Sequence, residues 1–303
     1  MKQKDVRRYN SISDIHHALG LPKPDHPLIS LINNTNNQIS DVVVPDYAIH
    51  DFYKIKFITK LSGKIKYGQG YYDFNEGSML FTAPNQIVGG SSDPTDHSVY
   101  ALLIHADFIQ GYPLAAKISQ YGYFSYLVNE ALHLSDRERA TILSIFKIIE
   151  EELSNRIDDF SQEVLVAQIE LLLSYANRFY KRQFITRKPV NNELLQKLET
   201  LLNKYFDDDE SLKQGLPTVK YLSQQLNVSP RYLSDMLRSL IGQNTQHLIH
   251  DKLIAKAKEK LSTTNFSINE LAYQLGFEHP QSFTRLFKIK TNLTPAEFRR
   301  ELN

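Results

Sequence analysis

The chain has 303 residues, no cysteine and a formal net charge of +1, with 42% hydrophobic and 23% charged residues. That length fits two domains, each able to bury its own core, and the composition is ordinary for globular protein. The missing cysteines exclude disulfides, thiolate metal sites, cysteine nucleophiles and thiol redox sensing. MKQKDVRRYNS at the start lacks a signal peptide's apolar run, and no stretch approaches about 18 uninterrupted apolar residues. A cytoplasmic protein without a membrane partner is expected.

Residues 1 to about 26 are polar, with one helix-like segment from Ile12 to Leu19 and prolines at 22, 24 and 27. His16 and His17 adjoin there; helical neighbours point about 100° apart, which predicts a surface pair and no metal site. Strand-like alternation begins in FYKIKFITKL. Tyr53, Ile55, Phe57, Thr59 and Leu61 share one face; Lys54, Lys56, Ile58 and Lys60 share the other. Turns at Ser62-Gly63, Gly68-Gln69-Gly70 and Asn75-Glu76-Gly77 lead through KIKYG to SMLFTAP, and after SSDPTDH comes VYALLIH. Short strands at this spacing indicate a small sandwich or barrel. One face of these strands would line any pocket, with Tyr53, Ile55, Phe57 and Tyr67 as ligand-contact candidates. The same face reads as plain core, the commoner arrangement. His97 and His105 are isolated and read as structural or surface residues.

From Ala106 the period changes. LSDRERATILSIFKIIEEELSNRID predicts a helix capped by Ser135 with Glu138 closing a capping box. In SQEVLVAQIELLLSYANRFYKRQF, Leu165, Ile169, Leu172, Ala176 and Phe179 alternate steps of four and three, the seam of a helical pair. That seam can meet either its own barrel or the same helices of a second chain. The polar TRKPVNN, residues 186–192, reads as a linker, and a helix from Glu193 to Phe206 opens the next domain. The acidic DDDE at 207–210 reads as a solvated loop facing away from any polyanion.

The last third holds one pattern twice. In TVKYLSQQLNVSPRYLSDMLRSL, Val219, Leu222 and Leu226 keep helical spacing, Ser223 is small, Asn227 tolerates a positive-φ turn, and Ser229-Pro230 starts a second helix. In SINELAYQLGFEHPQSFTRLFK, Ile268, Leu271 and Leu275 repeat the spacing, Ala272 takes the small position and Gly276 ends the helix. Each copy, 218–240 and 267–289, is a helix-turn-helix, and a helical connector from about Thr245 to Leu261 is long enough to set the two second helices about one duplex turn apart. From Ser211 onward there are 13 Lys/Arg against 7 Asp/Glu, so the basic end of the chain is the end with this repeat.

The second copy resembles the signature of the AraC-type transcriptional regulators. It carries Ile268, Glu270, Leu271, Ala272, Gly276, Phe277, Ser282, Phe283, Arg285, Phe287, Lys288, Thr294, Pro295, Phe298 and Arg299 in the family's order. Asn292 stands where the family has glycine, a residue that still tolerates φ > 0, and Ile289 stands where a basic residue is common. The resemblance implies an α+β multidomain chain. Residues 1–185 would form a cupin-like β-barrel (jelly roll, about 27–105) with dimerisation helices (about 106–185), and residues 193–303 an all-α tandem helix-turn-helix DNA-binding domain. The His-x-His pair of metal-binding cupins is missing, so no metal, cofactor or catalytic residue is expected.

Placed on that pattern, Arg231, Ser234 and Asp235 of the first recognition helix, and Gln281, Ser282 and Arg285 of the second, approach base edges. Arginine suits guanine, glutamine adenine and aspartate cytosine. Asp235 reads equally as a clamp on Arg231 or Arg238, and Arg285 as a phosphate clamp. Lys220, Arg238, Lys288 and Lys290 read as phosphate contacts, whereas Tyr232, Leu233, Phe283, Leu286 and Phe287 read as core. The expected partners are double-stranded DNA, a second copy of the chain, a small-molecule effector in the barrel and, for an activator, RNA polymerase. Two other readings stay open: an effector-independent dimeric regulator whose barrel is scaffold, and a cupin enzyme fused to a DNA anchor.

Overall fold

The computed structural model describes residues 6–34, 47–58, 65–67, 70–72, 77–89, 98–155, 158, 160–208 and 210–302. The expected turn at Ser62-Gly63, residues 68–69 and 75–76, and the polar turn with His97 lie outside them. The chain divides into two compact units, Met1–Gln183 and Phe184–Asn303.

The first unit runs β1 (Val6–Tyr9), α1 (Ile12–Ala18), β2 (Ile29–Asn33), β3 (Tyr47–His50), β4 (Phe52–Ile58), β5 (Ile65–Tyr67), β6 (Gly70–Tyr72), β7 (Ser78–Thr82), β8 (Ile87–Gly89) and β9 (Ser98–His105). After α2 (Pro113–Ile118) and three short 3-10 turns come β10 (Leu132–His133), α3 (Asp136–Ser154) and α4 (Ser161–Thr186). An antiparallel sheet has the order β10-β7-β4-β9-β2, a smaller one β1-β3-β8 with β1 and β3 parallel, and β5 pairs β6. β4 sits centrally and buries residues on both its faces. Tyr53 meets Phe124 edge-on at 5.1 Å and Phe57 meets Phe146 of α3 at 6.0 Å, so that face packs on the helical layer. The opposite face starts at Phe52, in a core with Tyr9, Ile12, Ile15, Ile32, Ala101 and Leu103, against which Ala48 of β3 also packs.

The N-terminal residues are therefore part of this fold, because β1 pairs with β3 and α1 supplies core. His16 corrects the surface expectation: it is buried, its Nδ1 donates to the Pro22 carbonyl at 2.6 Å, and Nε2 lies 2.9 Å from Ser30 Oγ. His17 is exposed. Two hydrogen-bonding ring nitrogens make a buried imidazole affordable where an apolar neighbour set alone would not.

Ser135 and Glu138 form the expected capping box on α3. The α4 seam, Leu165, Ile169, Leu172, Ala176 and Phe179, is buried within its own unit. It is held there by Tyr123, whose hydroxyl donates to the Leu173 carbonyl at 2.9 Å, and by Tyr180 stacked on Tyr123 at 5.4 Å. Arg182 of α4 bonds Glu138 and the His133 carbonyl. The buried apolar area and these hydrogen bonds outweigh the entropy lost in ordering the long side chains, which favours docking on the chain's own sheet over keeping the seam open.

The second unit is helical. Residues 186–192, expected as an open linker, are nearly all helix: α4 ends at Thr186 and α5 spans Lys188–Asp207. Pro189 falls in the first turn of α5, where its missing N–H costs nothing, and the Asn191 side chain caps the Phe184 carbonyl at 2.7 Å. There follow α6 (Glu210–Gln214), α7 (Val219–Gln225), α8 (Pro230–Ile241), α9 (Thr245–Thr263), α10 (Ile268–Gln274), α11 (Pro280–Thr291) and α12 (Pro295–Leu302). In the acidic segment, Asp207 bridges Lys256 of α9 at 2.8 Å, and Glu210 pairs with Lys213 and Gln214 of its own helix.

Candidate functional site

Two helix-turn-helix pairs flank α9, a rod of 19 residues and so about 28 Å long. In the first, Thr218 caps α7, Asn227 turns the chain at φ +55°, and the Val228 N–H returns to the Ser223 carbonyl at 3.0 Å. Ser223 is almost fully buried, where a larger side chain would separate the helices. Ser229 caps α8 through the Tyr232 N–H, and Tyr232, Leu233, Met236 and Leu237 bury its inner face. On the outer face Asp235 lies between two arginines, with Arg231 Nε 3.1 Å from one oxygen and Arg238 Nη1 3.0 Å from the other. The arginine side chains are 46% and 50% exposed and the aspartate 20%, so two guanidiniums face solvent over a sheltered carboxylate. Ser234 turns inward: its Oγ lies 3.0 Å from Thr245 Oγ1 at the start of α9, and Thr245 is fully buried.

In the second pair, Ser267 and Glu270 form a capping box, whose backbone N–H from Ser267 holds Glu270 below its ordinary carboxylate pKa. Gly276 takes φ +90° and the Phe277 N–H bonds the Ala272 carbonyl. Phe277, Phe283, Phe287 and Phe298 form an aromatic chain behind α11. Gln281, Ser282, Arg285 and Lys288 are exposed on its outer face, as is Lys220 on α7. Lys290 differs, its Nζ bonding Asp251 of α9 at 2.8 Å. Asn292 adopts φ +63°, so the turn survives the loss of glycine, while Ile289 stands 66% exposed in place of a basic residue.

Two contacts have no local sequence signal. An added Cβ on Gly276 would lie 2.7 Å from both the Gly215 carbonyl carbon and the Ser211 oxygen, so the second turn rests backbone to backbone on α6 and the loop after it. Arg299, the last of the family-signature residues, donates to the carbonyls of Leu261 and Phe266 and ties α12 to the exit of α9.

In the barrel the ligand-contact candidates are displaced. Ile55 and Phe57 are fully buried in the layer between sheet and helices, and Tyr53 is held against Phe124 there, its hydroxyl pKa raised by burial. Ile55 and Phe57 are core and Tyr53 is half-buried beside Phe124; the side chain of Tyr67 lies outside the described residues. The inward face carries Lys54 and Lys56 instead, both half-buried, near His50 of β3. Among the described residues no group of three His, Asp or Glu is placed to hold a metal, and no helix is long and apolar enough to cross a membrane.

Comparison with known proteins agrees with this division. Residues 222–301 match the family described as a helix-turn-helix domain, and residues 40–169 the AraC-like ligand-binding domain. The HTH-type transcriptional regulator YfiF of Bacillus subtilis is 23% identical over 261 residues, 82% of this chain and 77% of that protein. The HTH-type regulator SAS0078 of Staphylococcus aureus is 27% identical over 146 residues, 48% of this chain but only 18% of that much longer relative. Among solved structures, the C-terminal domain of the response regulator yesN from Fusobacterium nucleatum is 33% identical over 33% of this chain and 96% of that domain, with a TM-score of 0.29. The tandem helix-turn-helix geometry, the signature residues and the two matched domains together make the chain a member of the AraC-type family of DNA-binding transcriptional regulators.

Proposed function

We propose that the chain regulates transcription as a homodimer that reads DNA sequence through α8 and α11 and responds to a small molecule held in its N-terminal barrel. The observation that carries this is the pair of outward helix faces, Arg231 with Arg238 on α8 and Gln281, Ser282, Arg285 and Lys288 on α11, set on either side of one rigid α9. Each helix begins with exposed polar side chains able to enter a major groove. Arg285, Gln281 and Ser282 read base edges in the second groove, and Arg231, steered by Asp235, reads them in the first. Lys220, Arg238 and Lys288 contact phosphates and fix the register. Ser234 and Lys290, turned toward α9, support the two helices from behind.

Dimerisation belongs to the outer face of α4. Val164, Ala167, Leu171 and Ser174 recur there at steps of three and four and are exposed. Effector binding then alters the spacing available to two DNA-binding units, and an activator engages RNA polymerase once bound. The protein works in the cytoplasm, and no catalytic step is part of this reading. Selection of sites from random duplex, followed by titration of Arg285→Ala, tests it. The variant should lose about 1 to 3 kcal/mol on the selected site and much less on random DNA; equal loss on both would make Arg285 a phosphate clamp.

A further inference from the structure

Among the described residues β2 is the last strand of the larger sheet, so one of its edges has no strand beside it. The His105 N–H bonds the Leu28 carbonyl, and in the β2–β9 register this turns the backbone N–H and C=O of Ile29 and Leu31 away from β9. A cleft of about 320 Å³ lies along this strand, between the proline segment 21–26 and one face at the end of α3, formed by Glu150, Leu153 and Ser154. Its volume falls within the range of small-molecule sites, about 300 to 1,000 Å³.

The lining is rich in hydrogen-bond acceptors. Because His16 gives its Nδ1 hydrogen to the Pro22 carbonyl, its Nε2 takes the hydrogen of the Ser30 hydroxyl, and Ser30 Oγ faces a ligand only as an acceptor. Glu150 is fixed by two donors, Asn33 Nδ2 at 2.6 Å on one oxygen and the Tyr100 hydroxyl at 3.2 Å on the other. A carboxylate oxygen has two acceptor sites, so each keeps one more. The last carbonyls of α3, a helix of 19 residues, bring the negative end of its dipole to the same place. His26 adds no charge at neutral pH, since burial lowers its pKa, and its Nδ1 is spent on the Leu28 N–H. Asp25 and Lys23 stand exposed at the rim with opposite charges, which leaves the carboxylate of Glu150 to set the sign of the interior.

We infer that this cleft binds a small organic amine. Its ammonium sits against Glu150 and the carbonyl end of α3, the outward carbonyl of Leu31 and Ser30 Oγ accept any further hydrogens, and half-buried Leu31 and Leu153 receive the carbon body. This rests on the reading that the N-terminal unit binds an effector, and it puts that effector on the flank of the barrel at the free edge of β2. An ammonium makes a charge-assisted hydrogen bond with a carboxylate that is already oriented, whereas a carboxylic acid would bring a second negative charge against it.

The test titrates the full-length protein with hexylamine and phenethylamine, with hexan-1-ol and 2-phenylethanol as uncharged counterparts and hexanoate as an anion, at constant ionic strength, following Tm. The amines should raise Tm saturably, and the alcohols and hexanoate should not. Glu150→Gln, which keeps an oxygen for Asn33, should bind the amines about 10-fold or more weakly. Lys23→Gln removes a like charge from the rim and should bind them as tightly or more tightly. Leu153→Lys puts an ammonium of the chain's own into the cleft at a helix C-terminus that tolerates it, and should abolish the response while the protein stays folded. Alcohols or hexanoate matching the amines overturn the amine assignment and leave an effector site of another class. Amines acting equally on Glu150→Gln and Leu153→Lys overturn the cleft itself. Silence across these probes overturns the inference; a hit from a broader metabolite panel that Leu153→Lys leaves intact then keeps the effector reading, and silence there removes that reading too.

Discussion

Asp235 holds one oxygen on Arg231 and the other on Arg238, and a carboxylate beside a phosphate path is tolerable because two guanidiniums neutralise it. Ion pairs this exposed contribute at most about 1 kcal/mol to stability, so the importance of Asp235 lies in DNA binding. Asp235→Ala should leave the fold nearly unchanged, raise affinity for random duplex, steepen the salt dependence of binding by about one ion and narrow the gap between operator and random DNA. Anisotropy titrations across a salt series would register each change. His50 gives a second residue-scale expectation. Its native pKa of about 3 lies below the ordinary 6.5, so as pH falls below 6.5 the unfolded chain takes up a proton that the native chain refuses until about 3. Stability is complete above pH 6.5 and declines through that window. His50→Phe keeps a ring on Tyr9 and should flatten the slope of Tm against pH between 6.5 and 5; His26, also lowered by burial, leaves a residual slope. That Arg231, Gln281 and Arg285 face outward was legible from sequence, because outward positions on an amphipathic helix follow from a 3.6-residue period. Ser234 and Lys290 were not, since each sits at the margin of its helix face and its direction is set by Thr245 or Asp251, partners that no local pattern names.

Among elements, α4 shows how far periodicity reaches. Its stripe from Leu165 to Phe179 announced a seam correctly, yet spacing has no means of saying whether the partner is the same chain or another. The sheet-facing tyrosines 123 and 180 decide it for the chain's own sheet. The opposite stripe through Val164 and Leu171 remains exposed, and Leu171→Glu should shift the protein from dimer to monomer in sedimentation without lowering its Tm by more than about 1 kcal/mol would. β4 poses a similar ambiguity, because alternation fixes which residues share a face but not which way the face looks when both are covered. The stretch 186–192 was misread for another reason. Its proline and asparagines are turn formers in isolation, but in a first helical turn and as a cap on the Phe184 carbonyl the same residues begin α5. Gly276 belongs to this scale too. Gly276→Ala must hold φ +90° and displace Gly215 and Ser211, for a cost of about 1 to 3 kcal/mol from the backbone alone and more from packing. Gly215→Ala, whose Cβ would meet only the Gly276 oxygen at 3.6 Å, should cost less. Urea denaturation of the two variants, read on the transition of the helical unit, separates the terms.

Across the molecule, charge is segregated by unit: an excess of basic residues from Ser211 onward is offset by acidic residues before it. A net charge near neutrality thus conceals a DNA-directed end, and the segregation was visible in the sequence, as were the two-part division and the tandem repeat. The share of β1 and α1 in the core of the first unit was hidden, because that core is assembled from segments distant in sequence. The backbone contact between Gly276 and the loop after α6 has a practical corollary for anyone recombining such regulators. A recognition segment grafted alone from a relative would arrive without the surface it was shaped to sit on. Exchanges that carry residues 205 to 302 as one block should yield folded hybrids, whereas swaps limited to 267–289 should express poorly.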